Sequence, residues 1–174
     1  MRCMVTGHRP NKLGGYNKNH ELNQAVIRTL RSRLEGLQTA YGDALTVCSG
    51  MALGVDQWWA ELATELDIPW IAFVPCKWQE SKWPQASQEH YRWLINQATD
   101  VVFVSNEVYH PGCMQKRNEA MVNWAIEEGE DTDGFALCVA IWNGTPGGTT
   151  NCIRYARLEG LSVEILNPAH FLQR

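Results

Sequence analysis

A chain of 174 residues has the size of one domain, long enough to bury a core on two sheet faces and too short for a second full domain. Its formal net charge of −4 supplies no global positive field for a long phosphate backbone, so a nucleic-acid partner is disfavoured. No run approaches the roughly 20 apolar residues of a membrane helix. The opening Met1-Arg2-Cys3-Met4-Val5 runs straight into a strand pattern, and the expectation is a soluble, unexported, cytoplasmic protein with no membrane partner.

In chain order, short apolar runs alternate with amphipathic stretches. The spacing predicts a strand at Arg2 to Thr6, a polar loop Gly7-His8-Arg9-Pro10, and a helix from Glu21 to Tyr41. In that helix Leu22, Ala25, Val26, Leu30, Leu34 and Leu37 recur at the 3.6-residue period and mark the buried face. A second strand, Leu45 to Ser49, enters the turn Gly50 to Gly54 and a helix from Val55 to Leu66. A third, Trp70 to Val74, leads through the Pro75 to Gln79 loop to a helix at Ser87 to Ala98. A fourth, Val101 to Val104, leads through residues 106–115 to a helix at Gln115 to Glu127. The acidic stretch Glu127 to Asp133 reads as a solvated loop at the opposite edge. A fifth strand, Phe135 to Trp142, runs through the turn Asn143 to Thr149 into a helix ending at Leu158, and Ser162 to Leu166 closes the series.

This alternation predicts an α/β, Rossmann-like, doubly wound and mostly parallel sheet of about six strands, with helices on both faces, forming one domain over residues 1–174. Right-handed crossovers collect the loops that leave the strands' carboxyl ends on one rim, where open α/β sheets bind ligands. The glycine-rich and polar clusters all fall on that rim.

Two of these turns lead from strand to helix with glycines: Gly50 and Gly54 in one, Gly144, Gly147 and Gly148 in the other, followed by Thr149. Unpaired N–H groups at such helix starts attract an anion, and the helix dipole adds about 0.3 to 2 kcal/mol. Tight turning alone is the competing role of these glycines. Arg117 and Arg9 carry planar forks suited to phosphate. His8 can titrate or bond near neutral pH, or simply cap. Asp56 opens a helix, where capping and ribose recognition are both open to it. Trp83, Trp78 and Tyr109 lie in rim loops and can stack on a base. Trp58 and Trp59 are adjacent on one helix, which predicts one in the core and one on an interface, hence a possible homo-oligomer.

The Walker phosphate loop and the Gly-x-Gly-x-x-Gly fingerprint are absent, so no standard cofactor is implied. Six cysteines without a Cys-x-x-Cys pair and five scattered histidines predict reduced thiols and no metal site.

Ser49-Gly50-Met51-Ala52-Leu53-Gly54-Val55-Asp56 resembles the Ser-Gly-x-Ala-x-Gly-Ile/Val-Asp signature of the SLOG superfamily, which joins DNA-processing protein A to the lonely-guy phosphoribohydrolases. Thr6-Gly7-His8-Arg9-Pro10, Pro75-Cys76-x-x-Gln79-x-x-x-Trp83 and Arg117-Asn118-x-x-Met121-Val122 look like its YpsA-type branch, in the expected order from about Val5 to Pro168. The resemblance implies a Rossmann-like fold that binds nucleotides or NAD-derived compounds such as ADP-ribose, as enzyme, sensor or binder. The rim placement and the resemblance together predict ligand contacts from Gly7, His8, Arg9, Ser49, Gly50, Gly54, Asp56, Gln79, Trp83, Tyr109, Arg117, Asn118, Gly147, Gly148 and Thr149.

The lonely-guy enzymes cleave an N-glycosidic bond with an Arg-x-x-x-Met helix and a Pro-Gly-Gly-x-Gly-Thr-x-x-Glu turn. Arg117 to Met121 resembles the first. In the second, Cys152 falls where the catalytic glutamate would stand, and a thiol is a poor substitute for a carboxylate at a cationic sugar. Binding of a small nucleotide-derived ligand is therefore the leading expectation. A glycosidase using Arg117 and a replacement carboxylate, Glu119 or Asp56, is the second, and a single-stranded DNA binder the third.

Overall fold

The computed structural model describes residues 1–110, 112–130 and 135–172. Six strands form one sheet: β1 (Arg2–Gly7), β2 (Thr46–Ser49), β3 (Trp70–Val74), β4 (Asp100–Phe103), β5 (Ala136–Ile141) and β6 (Ser162–Leu166). Every pairing is parallel, and the spatial order is β4-β3-β2-β1-β5-β6. The helices are α1 (Glu21–Tyr41), α2 (Val55–Glu65), α3 (Gln85–Gln97), α4 (Cys113–Glu130) and α5 (Gly148–Leu158).

The two-residue alternation of β-strands divides the core between the sheet faces. Cys3 and Val5 of β1 and Val139 of β5 face one way and pack with Val26, Leu30, Leu34, Trp59 and Leu94 from α1, α2 and α3. Met4, Cys48 and Cys138 face the other way and meet Met121, Val122, Ala125, Cys152 and Ala156 from α4 and α5. All six cysteines are free and buried. The chain thus winds one way from β1 through β4, crosses back through α4, and winds the other way through β5 and β6. The β1/β5 boundary is the switch point, where rim loops diverge and leave a crevice.

Some boundaries differ from the sequence reading. Helix α4 begins two residues earlier and runs on to Glu130, so Glu127 to Glu130 belong to a helix. Glutamate is a good helix former and one glycine does not break such a run. Residues 131–133 of the acidic stretch lie outside the described residues.

Trp58 and Trp59 correct a second expectation, because they are 7% and 0% exposed and both belong to the core. Helix α2 packs between α1 and α3, so positions 100° apart on it are both covered. Neither is left to make an interface.

Candidate functional site

A cleft of about 270 Å³ opens on the rim at the switch point. The β1 loop contributes Gly7, His8, Arg9, Asn11 and Lys12. The α5 turn contributes Gly147, Gly148 and Thr149, α4 contributes Met114, Arg117 and Asn118, and Ala52 and Asp56 form the remaining wall.

The α5 turn is open to an anion. Asn151 N donates to Gly147 O and begins the helical ladder, and Gly147 provides no side-chain cap, which leaves the preceding N–H groups facing the cleft. Gly147 has φ +153 and a Cβ there would lie 3.2 Å from Lys12 Nζ. The lysine ammonium therefore sits directly over this turn, donating to Pro146 O at 2.8 Å and Thr145 Oγ1 at 3.3 Å. Arg9 is exposed beside it, and its charge also acts on the Asp56 carboxylate across the cleft.

His8 is buried, and its Nε2 lies 2.6 Å from Asn143 Oδ1. That oxygen also accepts from Thr145 N and Thr145 Oγ1, and Asn143 N donates to His8 Nε2 at 3.2 Å. Burial holds the imidazole below its ordinary pKa, against the Asn143 bond and with Lys12 pushing the same way. His8 thus ties the β1 and β5 loops together as a neutral ring.

The β2–α2 turn has a different occupant. Ser49 Oγ donates to Asp56 O at 2.6 Å and accepts from Met51 N at 3.2 Å. Ala52 N donates to Asp56 Oδ2 at 3.3 Å, and Arg117 Nη1 donates to the same oxygen at 2.9 Å. The anion in this turn is the chain's own carboxylate. Burial lifts the Asp56 pKa above its ordinary value while Arg117 pulls it down. Gly50 is needed here for a reason of space, because a Cβ would stand 1.5 Å from Arg117 Nη1. Gly54 caps α2 and packs on Pro10, and Gly7 packs on Val55.

Among the predicted positions, Gly7, His8, Arg9, Asp56, Arg117, Asn118, Gly147, Gly148 and Thr149 line one cleft. Ser49, Gly50 and Gly54 shape its wall. Gln79, Trp83 and Tyr109 line an adjoining lobe that shares Arg9 and Met114 with the cleft. Glu119 lines neither. It lies two positions past Arg117, on another side of α4, where it accepts from Gln115 Nε2 at 2.9 Å. Cys152 is a buried core thiol, and burial raises its pKa to about 11. Asp56 is the one carboxylate among the described residues that line the cleft. Lys12, Asn11, Met114 and, in the adjoining lobe, Tyr16 are additions that the sequence reading missed. All four sit in or next to rim loops, which was the available signal.

The winding, the parallel sheet and the switch-point cleft define a Rossmann-like α/β protein. The chain belongs to the YspA SLOG family, whose profile matches residues 3–128. That match runs from β1 into α4 and includes every cleft segment except the α5 turn.

Among curated relatives, UPF0398 protein ABC2016 of Shouchella clausii is 28% identical over 141 residues, covering 77% of this chain and 70% of that protein. A UPF0398 protein of Bacillus anthracis is 27% identical over 124 residues, covering 68% of this chain and 66% of its own length. Among solved structures, DNA processing protein A from Helicobacter pylori, a single-stranded DNA binder, aligns with TM-score 0.62 and 14% identity over 99% of this chain and 71% of that one. The structural-genomics target TM1055 aligns with TM-score 0.57 and 17% identity, covering 93% and 71%. At those identities the likeness establishes the fold.

Proposed function

We propose that the cleft binds a phosphorylated ribonucleotide or an NAD-derived metabolite of the ADP-ribose kind, as a sensor or binding protein. The observation that carries this reading is the uncapped start of α5 facing Lys12 and Arg9 across the switch-point crevice. Neutral His8 and the internally paired Asp56–Arg117 leave those two cations and the α5 dipole as the local field, which favours a dianionic phosphate. Asn118 and Thr149 line the same space with no side-chain partners among the described residues, ready to bond ligand oxygens.

Hydrolysis has less support. Glycosidic cleavage calls for a carboxylate that can reach the sugar, whereas Glu119 points elsewhere and Asp56 is held by Arg117 and Ala52 N.

Calorimetry with ADP-ribose, NAD and nucleoside monophosphates tests the reading. Saturable binding without release of free base is expected. Lys12→Ala should weaken it roughly 10- to 100-fold, the equivalent of about 1.5–3 kcal/mol for a charge-assisted bond. Absence of heat with the whole panel would sink the proposal, and free base in the chromatogram would favour the glycosidase. Tight, salt-sensitive binding to oligonucleotides alone would favour the DNA-binding reading instead.

A further inference from the structure

Beside the anion cleft, a lobe of about 320 Å³ lies between the β1 and β3 loops. Its walls include Tyr16, Trp78, Trp83 and Tyr109, and it meets the first cleft at Arg9 and Met114. Each lobe is at the small end of ligand pockets, which run to roughly 300–1,000 Å³, and the two joined fall well inside that range.

The lobe has two features that ordinary packing does not explain. Tyr16, Trp78 and Tyr109, from three separate loops, are 73%, 65% and 63% exposed, so large aromatic faces stand open to water around one space. Trp83 is held edge-on to Tyr91 at 5.5 Å and makes a firm wall. Beneath them Gln79 is only 9% exposed, and both its Oε1 and Nε2 are buried without a hydrogen-bond partner. A carboxamide orphaned at both ends is a costly arrangement in a folded protein. It is held by a turn in which Trp78 adopts φ +55, a left-handed backbone rare for a bulky residue, closed by Ser81 N donating to Trp78 O at 3.0 Å.

We infer that this lobe is a base subsite and that Gln79 is its specificity-determining residue, selecting the adenine ring of a ribonucleotide whose phosphate lies at the α5 turn. The inference rests on the binding reading above and extends it from the phosphate to the base. A flat ring entering the lobe stacks on the exposed aromatic faces, which favours any base. The carboxamide adds the choice. It offers an acceptor and a donor side by side, and the N6/N7 edge of adenine presents the complement, whereas the same edge of guanine presents two acceptors. One bidentate contact, reached by a rotation of the Gln79 amide toward the ring, gives both orphaned atoms a partner.

The test compares AMP, purine riboside 5′-monophosphate (the 6-amino group replaced by hydrogen) and ribose 5-phosphate, binding to the full chain and to Gln79→Leu. The wild-type protein should bind AMP roughly 10- to 100-fold more tightly than the des-amino analogue, the range of a good bidentate base contact. Gln79→Leu should lose that preference and bind ribose 5-phosphate as before. Its Tm should hold or rise, because the substitution removes two unsatisfied buried atoms. Trp78→Ala should weaken AMP and spare ribose 5-phosphate.

Unchanged AMP preference in Gln79→Leu overturns the assignment, as does AMP binding no tighter than ribose 5-phosphate. A lower Tm together with lost ribose 5-phosphate binding would make Gln79 a structural residue and overturn it equally. Wild-type silence toward all three probes overturns the nucleotide-binding reading and this inference with it, an outcome distinct from binding without base preference.

Discussion

Asp56 stands where a glycine turn at a helix start would otherwise receive a bound anion, and it changes what Arg117 can do. The pair is 7–8% exposed on both sides, so each charge depends on the other for its place inside the protein. Removing one member leaves the other buried and uncompensated, which costs about 3–5 kcal/mol. Asp56→Asn should therefore lower the urea midpoint steeply. Combining it with Arg117→Met should recover much of the loss, a coupling that a double-mutant cycle measures directly. A single-mutant loss below about 1 kcal/mol would show that the pair is not the anchor argued for here. The same residue explains a limit of sequence reading. Gly50 and Gly54 signal a tight turn at an open helix start, but whether its N–H groups are free depends on a carboxylate folding back and on an arginine 61 positions away.

At the level of elements, α1 both covers the sheet and holds a binding loop. Asn23, fully buried on its first turn, donates through Nδ2 to Gly15 O at 2.8 Å and Asn17 O at 2.9 Å, while Oδ1 accepts from Gly14 N at 2.9 Å. Those three bonds hold the segment that carries Tyr16 into the base lobe. At about 1 kcal/mol each, Asn23→Ala should cost on the order of 3 kcal/mol in chemical denaturation and should speed proteolysis near residues 14–17. An unchanged cleavage rate would mean that the loop is held by something else.

The helix itself was legible, since its 3.6-residue apolar face gave the observed bounds Glu21–Tyr41, and the strand runs gave all six strands to within a residue or two. Asn23 was not, because a polar residue at a helix start looks solvated until the loop it bonds is in view. Lys12 and Tyr16 were hidden for a related reason. Their importance lies in contacts across the switch point, which local spacing does not encode, and the expectation that one of Trp58 and Trp59 faces an interface fails because covering α2 on both flanks is a property of the whole helix layer.

For the molecule as a whole, the sheet order is what joins these parts. Because β1 and β5 are neighbours although more than a hundred residues of chain separate them, a ligand at their junction contacts the β1 loop, the α5 turn and α4 together. Through Asp56, which also lines the cleft, it reaches α2 in the other helix layer, so its binding should register in global stability and not only in local loop order. A ligand present at 100 times its Kd stabilises the native state by about 2.7 kcal/mol. For a domain of this size, that corresponds to a Tm increase of roughly 5–10 °C. A thermal scan with and without a saturating nucleoside monophosphate should show this shift. It should shrink as added salt shortens the Debye length, since Lys12 and Arg9 are exposed and screened. In Lys12→Glu the shift should all but vanish while the unliganded Tm stays close to wild type, because the lysine's own bonds are at the surface. A full shift in that variant would move the binding site away from the β1/β5 junction, and with it the account of why this sheet order suits the ligand.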